Sequence, residues 1–209
     1  LGNGLMGCLV WQKEPGKIRL ALDRADLWDL RPVAEMQDTV RFRYTWVQEQ
    51  LRNNQYAAVQ KQFDEPYERE PGPTKIPAAA LEFSYKNIQP IGIRLYLREA
   101  LCVVEFSHGA RLLILVNARS HTGHWRFEHG SHDRAEVMLV PPVYAAKSAV
   151  SAANSVAPHS LRRLGYPQGP ATQNKHTWHY TQQGWGGFHY KVAVHWRDLP
   201  TAQEGAWSI

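Results

Sequence analysis

The sequence predicts a mainly-β protein of antiparallel strands, arranged as a sandwich or barrel, with one short helical excursion near residues 40–63. Three observations carry that expectation. Leu81, Phe83 and Tyr85 alternate with Glu82 and Ser84, and Ile91, Ile93, Leu95 and Leu97 alternate with Gly92, Arg94, Tyr96 and Arg98. Such period-two patterns mark strands with one face inward. Turn residues recur roughly every eight to twelve positions through the same region, the spacing of an antiparallel sandwich. Finally, Phe188, Tyr190, Val192, Val194 and Trp196 oppose His189, Lys191, Ala193, His195 and Arg197 along one run, after a glycine-rich turn at Gly184-Trp185-Gly186-Gly187. That is a hairpin, with glycines supplying the φ > 0 positions a tight reversal needs.

In order, Cys8-Leu9-Val10-Trp11 and Ile18-Arg19-Leu20-Ala21-Leu22 flank a Pro15-Gly16 turn and form two short strands. Asp29-Leu30-Arg31-Pro32 stops strand pairing, because Pro cannot donate to a ladder. Asp38 is the expected N-cap of a helix carrying Val40, Tyr44, Val47 and Leu51 on one face, packed on a sheet. Trp46 lies off that stripe and is expected against another element. Asn53-Asn54 breaks the helix, and Tyr56, Val59 and Phe63 mark a second. Four prolines and a glycine between positions 66 and 77 read as a loop or extended crossover. Strands are expected over 101–106 and 111–116, joined by Ser107-His108-Gly109, and again over 135–140. Residues 143–158 are small and Ser/Ala-rich, a loop or a short helix, and 162–174 read as a loop. Ala206-Trp207-Ser208-Ile209 resembles a final strand. No internal repeat is visible, and the 209 residues are read as one domain.

Composition excludes several classes. With 8 Trp, 9 Tyr and 6 Phe and a mean hydropathy of −0.46, the chain is aromatic-rich and folded. No apolar run approaches the roughly eighteen residues of a membrane helix, so no membrane partner is expected. The chain opens without an initiator Met, a basic n-region or an apolar h-region, and reads as a fragment or a mature product. Its net charge of +5 comes from scattered basic residues, the tightest pair being Arg162-Arg163; a nucleic-acid surface would show a clustered stripe. Cys8 and Cys102 sit in apolar strand-like runs as buried thiols or, in an exported protein, as one bridge.

Chemistry is sparse. Gly2-Asn3-Gly4-Leu5-Met6-Gly7 matches G-x-G-x-x-G, but it has no strand before it and no helix after it to meet a pyrophosphate, so no nucleotide cofactor is expected. His121/His124, His129/His132 and His176/His179 are spaced H-x-x-H. On a strand those partners face opposite ways, and no metal is expected. Neither a G-x-S-x-G elbow nor a thiol-enzyme signature occurs. What remains is a polar–aromatic cluster, Asp23, Asp26 and Asp29 flanking Trp28, suited to touch a saccharide or, alternatively, to cap turns around a core Trp. Trp185 at a hairpin tip is a second stacking candidate.

The opening order GNGxxG, strand, turn, strand, then Asp23-x-x-Asp26-Leu27-Trp28, resembles the N-terminal domain of α-L-fucosidase-like glycoside hydrolases. Those enzymes join a β-super-sandwich to a six-hairpin α/α barrel and usually carry N-E-D-T-L-W, of which this chain keeps the Asp, Leu and Trp. The resemblance implies a galactose-mutarotase-like super-sandwich over residues 1–209, whose partners are a carbohydrate substrate and an α/α-barrel catalytic domain of the same protein. In that family the acid and its partner belong to the barrel, so this chain alone is expected to be inactive and to hold no catalytic residue. Asn3, Asp26 and Trp28 match the motif and, with Trp185, are the expected substrate-binding residues. A periplasmic or secreted location is also implied. The alternative is a free-standing carbohydrate-binding module that stacks sugars on Trp28, Trp125 or Trp185.

Overall fold

The computed structural model describes residues 1–34, 38–129, 134–144 and 159–209. β1 (Met6–Glu14) and β2 (Lys17–Arg24) form the opening hairpin, followed by β3 (Trp28–Asp29). Helices α1 (Tyr44–Arg52), α2 (Tyr56–Phe63) and α3 (Glu65–Arg69) then precede β4 (Thr74–Lys75), which pairs with β3. β5 (Ala79–Ser84), β6 (Pro90–Tyr96), β7 (Leu101–Phe106), β8 (Arg111–Val116), β9 (Thr122–Glu128) and β10 (Glu136–Val140) follow. β11 (Ala171–Asn174), β12 (Thr177–Gln183), β13 (His189–Asp198) and β14 (Ala202–Ser208) complete the chain. One sheet has the order β1-β2-β5-β10 and the other β11-β12-β13-β14-β9-β8-β7-β6, all antiparallel. The expected mainly-β antiparallel sandwich is what forms.

Alternation builds the core. Ile18, Leu20, Leu22, Leu81 and Phe83 from the smaller sheet meet Val104, Phe106, Leu112, Ile114 and Phe127 from the larger one in a single buried cluster. The Phe83 and Trp125 rings meet edge-on at 4.9 Å, and Tyr85 packs on Phe106 and Phe127 at 4.5 and 4.8 Å. Each such side chain contributes about 1.5–3 kcal/mol by leaving water.

Two glycines make room for the largest members. Gly205 of β14 lies opposite Trp125 of β9, and Trp207 of β14 opposite Gly123 of β9. A Cβ on Gly123 would stand 1.9 Å from the Trp207 ring; one on Gly205 would stand 2.8 Å from the Trp125 ring. Each indole thus lies over its partner's bare backbone, the close approach that glycine in a strand permits.

Several elements depart from expectation. Residues 122–128, where no strand was expected, form β9, whose inward row is Gly123, Trp125 and Phe127, so Trp125 is core and no stacking platform. β11 replaces part of an expected loop. Pro66 sits in the first turn of α3, where its missing N–H costs nothing, so the proline-rich stretch begins as helix. Asp38 caps an earlier turn, accepting from Val40 and Arg41 N–H at 2.8 and 3.0 Å, and α1 starts only at Tyr44. Asn54, at φ 57°, breaks the helix as expected.

The helices do not lie on a sheet through α1, which buries no residue. Phe63 of α2 gathers Phe42 and Trp46 at 5.1 and 6.4 Å instead. Glu82, expected outward, is 1% exposed beneath Arg19 and Lys13. The apolar row of β6 was expected inside, yet Ile91, Ile93 and Leu95 are exposed because an edge strand of eight overhangs a sheet of four. Residues 145–158 and His132 lie outside the described residues.

Gly123→Ala and Gly205→Ala are expected to cost about 3 kcal/mol or more each, by forcing an indole off its seat, as read from urea unfolding midpoints. Burial pushes the Cys8 thiol up to about 12 and raises the Tyr85, Tyr144, Tyr180 and Tyr190 hydroxyls well above their ordinary range. These groups keep their protons in the fold and lose them when unfolded, at about 8.5 for Cys and about 10 for Tyr. Stability is therefore complete below pH about 8.5 and falls as pH rises toward 12, by up to about 1.4 kcal/mol per pH unit for each group in its window. Denaturant titrations at stepped alkaline pH measure this. Both cysteines are buried free thiols, so a thiol reagent at pH about 8 should label neither until the chain unfolds.

Candidate functional surface

Strand register gathers the expected site residues at one end of the sandwich. β9 starts at Thr122 opposite Ser208 near the finish of β14, and Ser208 lies opposite Ala193 of β13. The β12–β13 tip holding Trp185 therefore projects at that end. So does the β6–β7 turn, because Leu101 pairs with Leu115 near the finish of β8.

Asn3 joins the two sheets there. Its side-chain N–H groups donate to Asn117 and Ser120 carbonyls of the β8–β9 turn at 2.8 and 3.2 Å. Its Oδ1 accepts from Leu5 and Met6 N–H at 3.0 and 2.7 Å. Both halves of the amide are thus occupied by the fold. The N–H groups that a phosphate would have needed in this glycine loop are held by Asn3 itself. Gly4 turns the chain at φ 91°, and Ala25 N–H donates to Leu5 at 2.7 Å, bringing the β2–β3 turn alongside.

That turn is a charged knot. Arg24 grips Asp26 through two parallel bonds of 2.8 and 3.0 Å and donates to the Ile209 carbonyl at 2.6 Å. The hydrogen bond from Arg24 holds the Asp26 carboxyl below the usual carboxylate range, so it is ionised and accepts hydrogen bonds rather than donating a proton. Lys75 bonds Asp23 at 2.5 Å and the Arg24 carbonyl at 2.7 Å. Trp28 is 41% exposed, its indole N–H donating to Ala25 at 3.0 Å. It does not fill the core.

On the opposite side of the same short strand, Asp29 is buried. It accepts from Tyr166 at 2.5 Å, from the Arg31 guanidinium at 2.9 Å and from Arg31 N–H at 2.8 Å. The Tyr166 hydroxyl in turn accepts from Trp185 N–H at 3.1 Å. One tyrosine thus ties the hairpin tip to the neighbour of Trp28. Nothing at the level of spacing pointed to Tyr166, since its partner is 137 positions away. Trp185, at 48% exposure, presents its ring outward. Asn3 is absorbed by the fold, while Asp26, Trp28 and Trp185 remain accessible on one surface.

A second feature lies across the outer face of the eight-stranded sheet. A cavity of about 680 Å³ opens over β9, β14 and β13 among His124, Ala206, His195, Arg126, Glu204 and Arg197. Among the described residues, no group of three His, Cys, Asp or Glu side chains is placed to hold a metal ion. No protein-family model matches this chain, and no curated protein gives a significant sequence match.

Asn3→Ala should lower stability by about 1–3 kcal/mol, because it leaves backbone groups of both sheets without partners. Trp28→Ala should cost less, about 1 kcal/mol, chiefly its single indole hydrogen bond to Ala25. Thermal or urea unfolding of the two variants separates a latch residue from a surface residue.

Proposed function

We propose that this chain is a non-catalytic β-super-sandwich domain, galactose-mutarotase-like in topology, of a glycoside hydrolase acting on oligo- or polysaccharide. In this reading it packs on an α/α-barrel catalytic domain and lends Asp26, Trp28 and Trp185 to one wall of the sugar cleft. The resemblance of residues 1–32 to the α-L-fucosidase-like family supports the class. The observation that carries the role is the concentration of large exposed apolar side chains at one end: Trp28, Leu30, Leu97 and Trp185. Leu97 is 82% exposed there. The helices inserted between β3 and β4 carry exposed apolar side chains of their own, Phe42, Tyr44 and Leu51. Large apolar side chains exposed together at one end of a domain support a contact with another protein surface.

The role offered is physical. An ionised Asp26, aligned by Arg24, accepts hydrogen bonds from sugar hydroxyls, and an indole beside it offers a flat apolar face to a pyranose ring. Neither group donates a proton to a leaving oxygen, so bond cleavage belongs to the partner domain.

A second reading, a free-standing carbohydrate-binding module, is favoured by the two exposed indoles sharing one end. Intact mass of the native protein tests the first reading, which expects a value far above 23.9 kDa, and a value near it would contradict the scaffold role. The module reading expects neutral oligosaccharides to quench tryptophan fluorescence of the chain alone, with Trp185→Ala weakening the effect.

A further inference from the structure

The outer face of the eight-stranded sheet carries a feature that the scaffold role does not use. Register places His124, Ala206 and His195 side by side on β9, β14 and β13. One step along the strands, Arg126, Glu204 and Arg197 form the next row on the same face. Strands about 4.8 Å apart set the two histidine backbones roughly 10 Å from each other, with only a methyl group between them. The result is a slot with a small floor and two imidazole walls. Its cavity of about 680 Å³ falls within the range of small-molecule clefts.

The charges in the slot are arranged, not scattered. Glu204 accepts from Arg126 at 2.8 Å through one oxygen and from Arg197 Nε at 2.8 Å through the other. Arg126 also lies 3.6 Å from Glu128, which Arg111 holds at 2.7 Å, so three guanidiniums stand against two carboxylates and leave one positive charge in excess. Hydrogen bonding from Arg197 holds the Glu204 carboxyl below its ordinary range, so it stays ionised and keeps the two cations aligned. A guanidinium has five N–H donors, so each arginine keeps donors for an incoming anion. The fork geometry of arginine suits a carboxylate in particular.

The remaining lining is mixed, with Thr122 and the two imidazoles on one side and Leu101, Leu113 and Leu115 on the other. Thr122 Oγ1 lies 3.3 Å from His124 Nε2 and orients that ring. The His195 side chain is exposed and its imidazole makes no hydrogen bond to the described residues, leaving its ring nitrogens for a ligand. Leu115, paired with His124 on β8, supplies an exposed aliphatic border. A ligand matched to this slot presents an anionic head to the arginines and hydroxyl groups to the imidazoles.

We propose that the slot binds a carboxylate carried on a hydroxyl-rich frame, as in a uronic acid, with Arg126 and Arg197 taking the carboxylate and His124 and His195 the hydroxyls. The same chemistry is offered by a free sugar acid and by an acidic residue within a glycan. This site lies on the outer face of the larger sheet, bordered by Thr122, Leu101 and Leu115 toward the apolar end, and it does not depend on the scaffold role.

Calorimetric titration of the chain with sodium D-glucuronate, with D-glucose, and with an oligomer of the uronate tests it. Glucuronate should bind at least about tenfold more tightly than glucose, the worth of one charge-assisted hydrogen bond. Raising salt from about 50 to about 500 mM should weaken it, since both arginines are exposed. His195→Ala, at an exposed position without internal bonds, and Arg197→Gln should each weaken binding by about tenfold, with unchanged circular dichroism. Trp28→Ala, at the other surface, should leave it intact. A tighter fit for the oligomer assigns the slot to glycans, and equal affinity per site assigns it to free acids; either supports the slot. Equal affinity for glucose and glucuronate, no heat up to about 10 mM ligand, displacement by an equal concentration of inorganic sulfate, or an unaltered His195→Ala variant would each overturn the proposal.

Discussion

The larger sheet depends on how β14 is held between β9 and β13. β14 is the strand that joins the β6–β9 meander to the β11–β13 group, and it does so by pairing on both sides. Its inward face is fixed by exchange of bulk for space: Trp207 over Gly123 and Trp125 over Gly205. Two indoles of this size fit between the sheets only because the residue opposite each has no Cβ. Its outward face sets Ala206 and Glu204, and so decides both the depth and the charge of the slot above. Packing and surface chemistry are thus two faces of one strand.

The end of the sandwich is organised by hydrogen bonds that spend their capacity inside the fold. Asn3 clips the opening loop to the β8–β9 turn, and Tyr166 clips the Trp185 hairpin to Asp29. These clips are polar and satisfied, whereas the side chains they leave outward are apolar. Trp28, Leu30 and Trp185, which adjoin these clips, are therefore held on a firm base facing water. In the proposed scaffold role, an apolar rim held this way meets a partner surface without the ordering cost that a loose loop would bring.

Much of the fold was legible because strand periodicity is a local signal. The β12–β13 hairpin, β7, β8 and β10 follow directly from alternation and glycine turns. β9 escaped notice because His124 and Arg126 alternate with a glycine, so the inward row Gly123, Trp125, Phe127 does not read as apolar. β6 was read correctly as a strand but wrongly as buried, since alternation does not say whether a second sheet reaches far enough to cover it. The α1 stripe misled for a similar reason: its apolar residues meet α2 and solvent, not a sheet. Asp26, Trp28 and Trp185 were visible as a polar–aromatic pattern, yet their shared location is set by long-range register. The histidine slot was invisible because His124 and His195 meet only through β14, of which the sequence revealed only the last three residues.

The central claim is that the end bearing Trp28, Leu97 and Trp185 is covered in the working protein. Hydroxyl-radical footprinting tests it directly, comparing the protein from its native source with this 209-residue chain alone. The account predicts that Trp28, Leu97 and Trp185 are labelled in the chain alone and protected in the native protein, while Trp11, exposed on the smaller sheet, is labelled in both. Equal labelling of Trp28 and Trp185 in the two samples would contradict it.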